Sequence, residues 1–255
     1  VSLVPAVTEM LFAIGSGPQV VGVSQYDRFP PEVSTRTRVG ALLDPDLERI
    51  LGLRPDLVVS YASQEDLHRQ LSRAGIPIFS YRHAELRDVL TTLRAVGVRV
   101  GRMDAAEELA RQLEDRMDRV RARTSTAKRP RVLLVFGREA GSLRNIYASG
   151  GFGFLHDMLT IAGGNNVLSD VRRESVQATS ELILARRPDV IVELQPGAVA
   201  ATSWRVDSAW FALSSVPAIQ NRRVIVLQGD HFMIAGSRVA EAVEALAAAL
   251  HPPAR

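Results

Sequence analysis

Two α/β lobes joined by a single long helix, with a ligand cleft between them, is the fold that the 255 residues predict. Three observations carry it. Between Asp104 and Thr124 the apolar residues Ala106, Ala110, Leu113, Met117 and Val120 recur at spacings of four and three, one stripe of a helix. At about 1.5 Å per residue this helix reaches roughly 30 Å, enough to join two lobes as well as to complete one. Short apolar runs alternate with helical patterns on both sides of it, the grammar of α/β units. Finally, the run from Leu47 through Arg54-Pro55-Asp56 to Val59 is echoed by the run from Ser180 through Arg187-Pro188-Asp189 to Val192, each a helix, an Arg-Pro-Asp turn and a buried strand. The resulting division is 1–102, a connecting helix over 103–126, and 127–255.

Val1–Val4 reads as a short buried strand, Pro5–Glu9 as the turn after it, and Met10–Ile14 as an apolar helix stopped at Gly15-Ser16-Gly17. Val20–Val23 is the next strand, ending in the loop Gln25-Tyr26-Asp27-Arg28-Phe29-Pro30-Pro31. After Gly40, a helix over Asp46–Leu53 leads into the strand Leu57–Tyr61, and a helix over Gln64–Ala74 into the strand Ile76–Tyr81. In the long helix Asp104 is placed to cap the first turn, with Glu107 three residues on as in a capping box, and Pro130 closes the exit. Beyond it come the strand Arg131–Phe136, a loop over Gly137–Ser149, a helix over Phe154–Ala162 ended by Gly163-Gly164-Asn165, a helix over Ser180–Arg187 and the strand Val190–Val192. A loop with Trp204, a helix around Trp210, the strand Val224–Leu227, the loop Gln228–Ser237 and an Ala-rich helix to Leu250 complete the chain. Trp210, inside Ala-Trp-Phe-Ala-Leu, reads as core.

Composition narrows the function. The chain is 46% hydrophobic and 23% charged, with a formal charge of +3. Its basic residues are arginines apart from Lys128, dispersed among acids, and no basic run is interleaved with aromatics, so nucleic-acid binding has no support. Cysteine is absent, which removes disulfides, thiolate metal sites and a Cys nucleophile. No apolar run approaches the ~18 residues of a membrane span. The chain begins inside what reads as a strand, which suggests a removed leader or lipoprotein anchor and a periplasmic or extracellular, membrane-anchored location. There is no P-loop, no dinucleotide fingerprint and no Gly-x-Ser-x-Gly elbow, and the five histidines are scattered. A binding protein rather than an enzyme is expected, with no catalytic residues, no metal and no resident cofactor.

Loop residues supply the candidate site: Pro5, Ala6, Val7 and Thr8, Tyr26, Leu42, Leu43 and Tyr61 from the first half, and Tyr147, Phe152, Trp204, Asp230, His231, Phe232 and Arg238 from the second. Apolar, aromatic and hydrogen-bonding side chains in this mixture suit a large, partly apolar small molecule.

The wording of Ser2-Leu3-Val4-Pro5-Ala6-Val7-Thr8-Glu9-Met10-Leu11, Val21–Tyr26, Leu47-Glu48-Arg49-Ile50, Arg54–Val58 and Ala162-Gly163-Gly164-Asn165-Asn166 resembles the helical-backbone substrate-binding proteins of ABC importers, which serve cobalamin, haem and iron-siderophore uptake. The Pro-Ala-x-Thr-Glu opening and the Tyr-x-x-Phe-Pro-Pro loop are most similar to the cobalamin-binding branch. The resemblance implies a transported corrinoid, with haem or a ferric siderophore as the alternative, a membrane permease as partner, and a monomer. It also implies one acidic residue on each lobe that meets the permease: Glu65 and Glu181 by motif position, with Glu48 and Asp66 as rivals for the first. The chain departs from that branch in having Tyr61 where a tryptophan is common, and no aromatic near Ser175.

Overall fold

A computed structural model of the chain describes residues 1–82, 85–197 and 208–252. They form two compact units, Val1–Leu113 and Glu114–Arg255.

The first unit is built on a parallel sheet whose middle is the chain start. Pro5–Ala13 forms α1, Gly22–Val23 β1, Thr37–Arg38 β2, Leu47–Gly52 α2, Val58–Tyr61 β3, Glu65–Arg73 α3 and Ile78–Tyr81 β4. β1 pairs with β2 and β3 with β4, all parallel. Ser2 joins the two pairs through parallel bridges to Val23 and Val59. Its N–H donates to Gly22 O at 2.9 Å, and Leu3 N–H donates to Val59 O at 2.9 Å. The expected Val1–Val4 strand is thus this central rung. α1 begins at Pro5, earlier than the expected Met10, because a proline at the first helical position gives up an N–H that has no partner there anyway.

Leu86–Arg99 forms α4, a helix not anticipated from the sequence, although Glu85 and Asp88 close a reciprocal capping box and Leu86, Val89, Leu90, Leu93 and Val96 make its buried stripe. α5 follows at Met103–Thr124. The expected stripe is its buried side: Ala106, Ala110, Leu113, Met117 and Val120 are at most 5% exposed. Its start is corrected. Asp104 lies within the first turn, and Glu107, rather than closing a box, accepts from Arg94 of α4 at 2.7 and 3.1 Å. At Gly97 the two helices approach so closely that an added Cβ would sit 2.3 Å from the Ala106 Cβ. Gly97→Ala is therefore expected to destabilise the first unit by about 1–3 kcal/mol despite alanine's better helix propensity, read as a lowered denaturation midpoint.

In the second unit Arg131–Gly137 forms β5, Ile146–Ser149 β6, Phe154–Ile161 α6, Asn165–Asn166 β7, Ser175–Ala178 β8, Ser180–Arg186 α7, Val190–Gln195 β9, Pro217–Gln220 α8, Val224–Gln228 β10 and Val239–Leu250 α9. The sheet order is β10-β9-β5-β6-β8, with β7 also on β5. β10, β9 and β5 run parallel; β6 is antiparallel to β5 and to β8. β6 replaces part of what reads as loop in the sequence and β8 is not anticipated, because Ile-Tyr-Ala-Ser and Ser-Val-Gln-Ala lack the apolar run that marks β5 or β9. Trp210 is fully buried in a 3₁₀ turn over Ser208–Leu213, in the same core cluster as Leu133, Ile146 and Ile191.

The sequence echo has a backbone counterpart. Arg54 and Arg187, the residues before the two prolines, both take the left-handed conformation, at φ 47° and 46°. Each lets a helix turn directly into a parallel strand.

Candidate functional site

In open parallel sheets ligands bind outside the carboxyl ends of the strands, where loops take over from strands and free backbone groups are left. In the first unit that edge carries the start of α1 after Ser2-Leu3-Val4, the turn Ser24–Asp27 after β1, the loop Gly40–Pro45 after β2 and Tyr61–Gln64 after β3. Four of the expected residues are open to solvent there: Tyr26 at 59%, Leu42 at 38%, Leu43 at 95%, and Tyr61 in part. Tyr61 meets Tyr81 edge-on at 5.7 Å between ring centroids, and burial together with the nearby Asp27 carboxylate raises its phenol above the usual range. Pro5 is half-buried, but Val7 and Thr8 are wholly buried and Ala6 nearly so. Because the segment is helix rather than turn, Val7 belongs to the core-facing side of α1; its expected contact role is corrected.

A glutamine not singled out from the sequence ties this edge together. Gln64, buried, accepts from Tyr61 N–H at 3.0 Å and donates to Leu42 O at 3.0 Å, so that one side chain sets the spacing of two loops. A depression of about 510 Å³ opens beside it, lined by Leu42, Leu43, Glu65 and Asp66 among others. A second cavity in this unit, about 760 Å³, lies at the other edge of the sheet: Val1, Leu57 and Pro77, which line it, precede the strands.

Behind Tyr26 lies a buried polar cluster. Asp27 is 2% exposed, Glu9 2%, and Thr8, Ser2 and Ser24 at most 1%. Thr8 Oγ1 donates to Ser2 Oγ at 2.8 Å and approaches Val4 O at 3.1 Å. The Arg38 guanidinium donates to the carbonyls of Ser24 at 2.7 Å and Asp27 at 2.8 Å. Burial, opposed in part by Thr8, the Ser24 main chain and Arg38 and reinforced by Glu9, pushes the Asp27 carboxyl up to about 7.

In the second unit the carboxyl ends of β5, β9 and β10 lie side by side. Asp230 accepts from Gly197 N–H at 2.8 Å and so links the loops after β9 and β10. Tyr147, opposite Gly137 at the end of β5, is 42% exposed. His231 is 7% and Phe232 3% exposed, their rings 4.2 Å apart. Burial, then the charge of Arg238, holds the imidazole of His231 below its usual pKa, so at neutral pH its lone pair is available. Phe232 is a packing residue, correcting its expected contact role. Phe152 departs further: β6 runs away from Tyr147 toward Ser149, whose carbonyl is held by Asn166 beside the start of β5, so Phe152 lies at the opposite edge. Trp204 falls outside the described residues.

Glu65 and Glu181 are exposed and stand in the first turns of α3 and α7, each just past the carboxyl end of a strand. Asp66 pairs with Arg69, while Glu48 is exposed in α2. Among the described residues no three acidic or imidazole groups converge to hold a metal, and no helix is long and apolar enough to cross a membrane.

A family model described as periplasmic binding protein matches residues 1–230. The vitamin B12-binding protein of Salmonella typhimurium is 31% identical over 252 residues, covering 98% of this chain and 89% of that protein. Two solved structures share the fold: the periplasmic heme-binding protein RhuT from Roseiflexus sp. RS-1 (TM-score 0.79, 24% identity, 98% of this chain and 96% of that one) and the periplasmic vitamin B12 binding protein BtuF of Vibrio cholerae (TM-score 0.79, 21% identity, 98% and 94%). With the match spanning both sheets and both carboxyl edges, the chain belongs to the periplasmic binding protein family.

Proposed function

We propose that the chain is the substrate-binding protein of an ABC importer, that it captures cobalamin or a related corrinoid, and that it hands this cargo unchanged to a membrane permease. The observation that carries the reading is the character of the carboxyl edges. Tyr26 and Tyr147 stand exposed there and Tyr61 partly so, while two of the nearby arginines are committed: Arg38 to main-chain carbonyls and Arg138 to Glu193. A corrinoid presents a broad, largely apolar face rimmed by amides, which aromatic rings cover and main-chain groups meet. A negatively charged ferric siderophore calls for several convergent cations instead. The 31% identical vitamin B12-binding protein supports the choice.

Haem is the second reading, favoured by the neutral imidazole of His231, which has the donor chemistry of an axial ligand. Titration of the purified protein with cyanocobalamin, haemin and a ferric siderophore separates the three. We expect saturable cyanocobalamin binding, weakened about tenfold by Tyr61→Ala and indifferent to His231→Ala, since one well-placed aromatic contact is worth on the order of 1–2 kcal/mol. Tight haemin binding lost with His231→Ala, beside no cobalamin binding, would overturn the corrinoid assignment. The reading entails an extracytoplasmic location, periplasmic or membrane-anchored, which cell fractionation tests.

A further inference from the structure

The turn that presents Tyr26 has a titratable group built into its base. Asp27 is 2% exposed, and among the described residues neither of its carboxylate oxygens has a well-formed hydrogen bond, the Thr8 side chain and the Ser24 main chain being near enough only to favour its charge in part. Buried carboxylates are ordinarily satisfied by donors, and one left without them penalises its own charge. The nearest candidates are turned elsewhere. Thr8 gives its hydroxyl hydrogen to Ser2 Oγ or Val4 O, and the Arg38 guanidinium, held through NH1 on the carbonyls of Ser24 and of Asp27 itself, places none of its donors on the carboxylate.

Those two carbonyls are the frame of the turn. Asp27 N–H donates to Ser24 O at 3.2 Å, Tyr26 N–H donates to Ser24 Oγ at 3.1 Å, and Arg38 NH1 clamps Ser24 O and Asp27 O from β2. One guanidinium therefore has two claimants, the carbonyls that hold the turn shut and a carboxylate that lacks a well-formed hydrogen bond. We propose that Asp27 is a proton-operated latch on the Tyr26 turn: with its carboxyl protonated, Arg38 stays on the carbonyls and the turn is clamped; with the carboxyl ionised, it draws Arg38 away and the turn loosens.

The groups that face Asp27 come from each element packed against it. Glu9, also buried, stands on α1 with Thr8; Arg38 on β2; Tyr61 at the end of β3; and Ser24 on its own turn. Glu9 and burial oppose the charge, while Thr8, the Ser24 main chain and Arg38 favour it. Burial dominates, and in the clamped form the carboxyl is pushed up to about 7, well above the usual carboxylate range. The sign follows from linkage: the clamped form holds the proton more tightly than an open form with an ordinary carboxyl, so low pH favours the clamp. Its advantage shrinks by up to tenfold per unit as pH rises from about 4 to about 7, and is smallest above 7.

The test uses the protein without cargo, so its outcome is separate from that of the corrinoid assignment. Amide hydrogen exchange at residues 25–28, corrected for intrinsic rates, should show protection falling by one to two orders of magnitude between pH 5 and pH 8. In Asp27→Asn, which cannot ionise, protection should stay flat across that range. Carboxyl ¹³C shifts of the wild-type protein give a second readout, with a midpoint for Asp27 near neutrality that moves down in Glu9→Gln. A midpoint below 5, or the same exchange profile in Asp27→Asn as in the wild type, would overturn the latch.

Discussion

Glu193→Ala is expected to cost the second unit about 3–5 kcal/mol. Glu193 sits in the middle of β9, opposite Val135 of β5 and Val226 of β10, flanked in the strand by Val192 and Leu194. Its carboxylate holds Arg138, whose side chain is 8% exposed against 5% for Glu193, and it accepts from Trp210 Nε1 at 3.0 Å. Arg138 in turn donates to Glu139 O at 3.2 Å and Ser142 O at 3.0 Å and lies 5.5 Å from the centre of the Trp210 ring. Removing the carboxylate leaves a buried guanidinium uncompensated and strips the indole N–H of its acceptor in one step. A pair of this kind need not be worth much against a well-packed apolar replacement, so Arg138→Met combined with Glu193→Leu should recover most of the loss. Chemical denaturation of the three proteins decides it. A Glu193→Ala midpoint unchanged from the wild type would show that water or a rearranged loop satisfies Arg138 in its place.

That network marks where the sequence stops being legible. The α/β alternation, the α5 stripe and the two Arg-Pro-Asp turns rest on patterns within a few residues, and those patterns are visible in the linear chain. Glu193 reads there as one polar residue in Val-Ile-Val-Glu-Leu-Gln, because its partner Arg138 is 55 positions away. Asp27 and Gln64 are the same case: a polar loop residue looks exposed until the neighbouring loops are in place. α4 was readable, since its apolar spacing and the Glu85/Asp88 box are local, whereas β6 and β8 mix polar with apolar residues and show no apolar run. Among the candidate residues, Tyr26 just after β1 and Tyr61 at the end of β3 stand at the carboxyl edge, a position that strand order alone gives. Val7 and Phe232 went wrong because exposure was inferred from a turn that proved to be a helix in one case and a buried 3₁₀ turn in the other.

Charge reversal at both Glu65 and Glu181 is expected to abolish cargo transport while leaving cargo affinity within about twofold of the wild type. The prediction rests on the proposed role as an importer's binding protein. Each glutamate is exposed, stands in the first turn of a helix directly after a strand's carboxyl end, and has no cation beside it among the described residues. A helix N-terminus stabilises an acid there by roughly 0.3–1 kcal/mol, so the reversals should lower stability only slightly. Across an interface the effect is larger, because a like charge facing a basic pocket costs several kcal/mol, at least a hundredfold in association. Asp66 is the weaker rival, since it is already paired with Arg69, whereas Glu48 occupies in α2 the place that Glu181 occupies in α7 under the sequence echo. Glu48→Arg is therefore the informative control in a reconstituted importer. Transport lost with Glu48→Arg and kept with Glu65→Arg would move the first docking position to α2, and a fall in cargo affinity in the double variant would place these residues in the binding site instead.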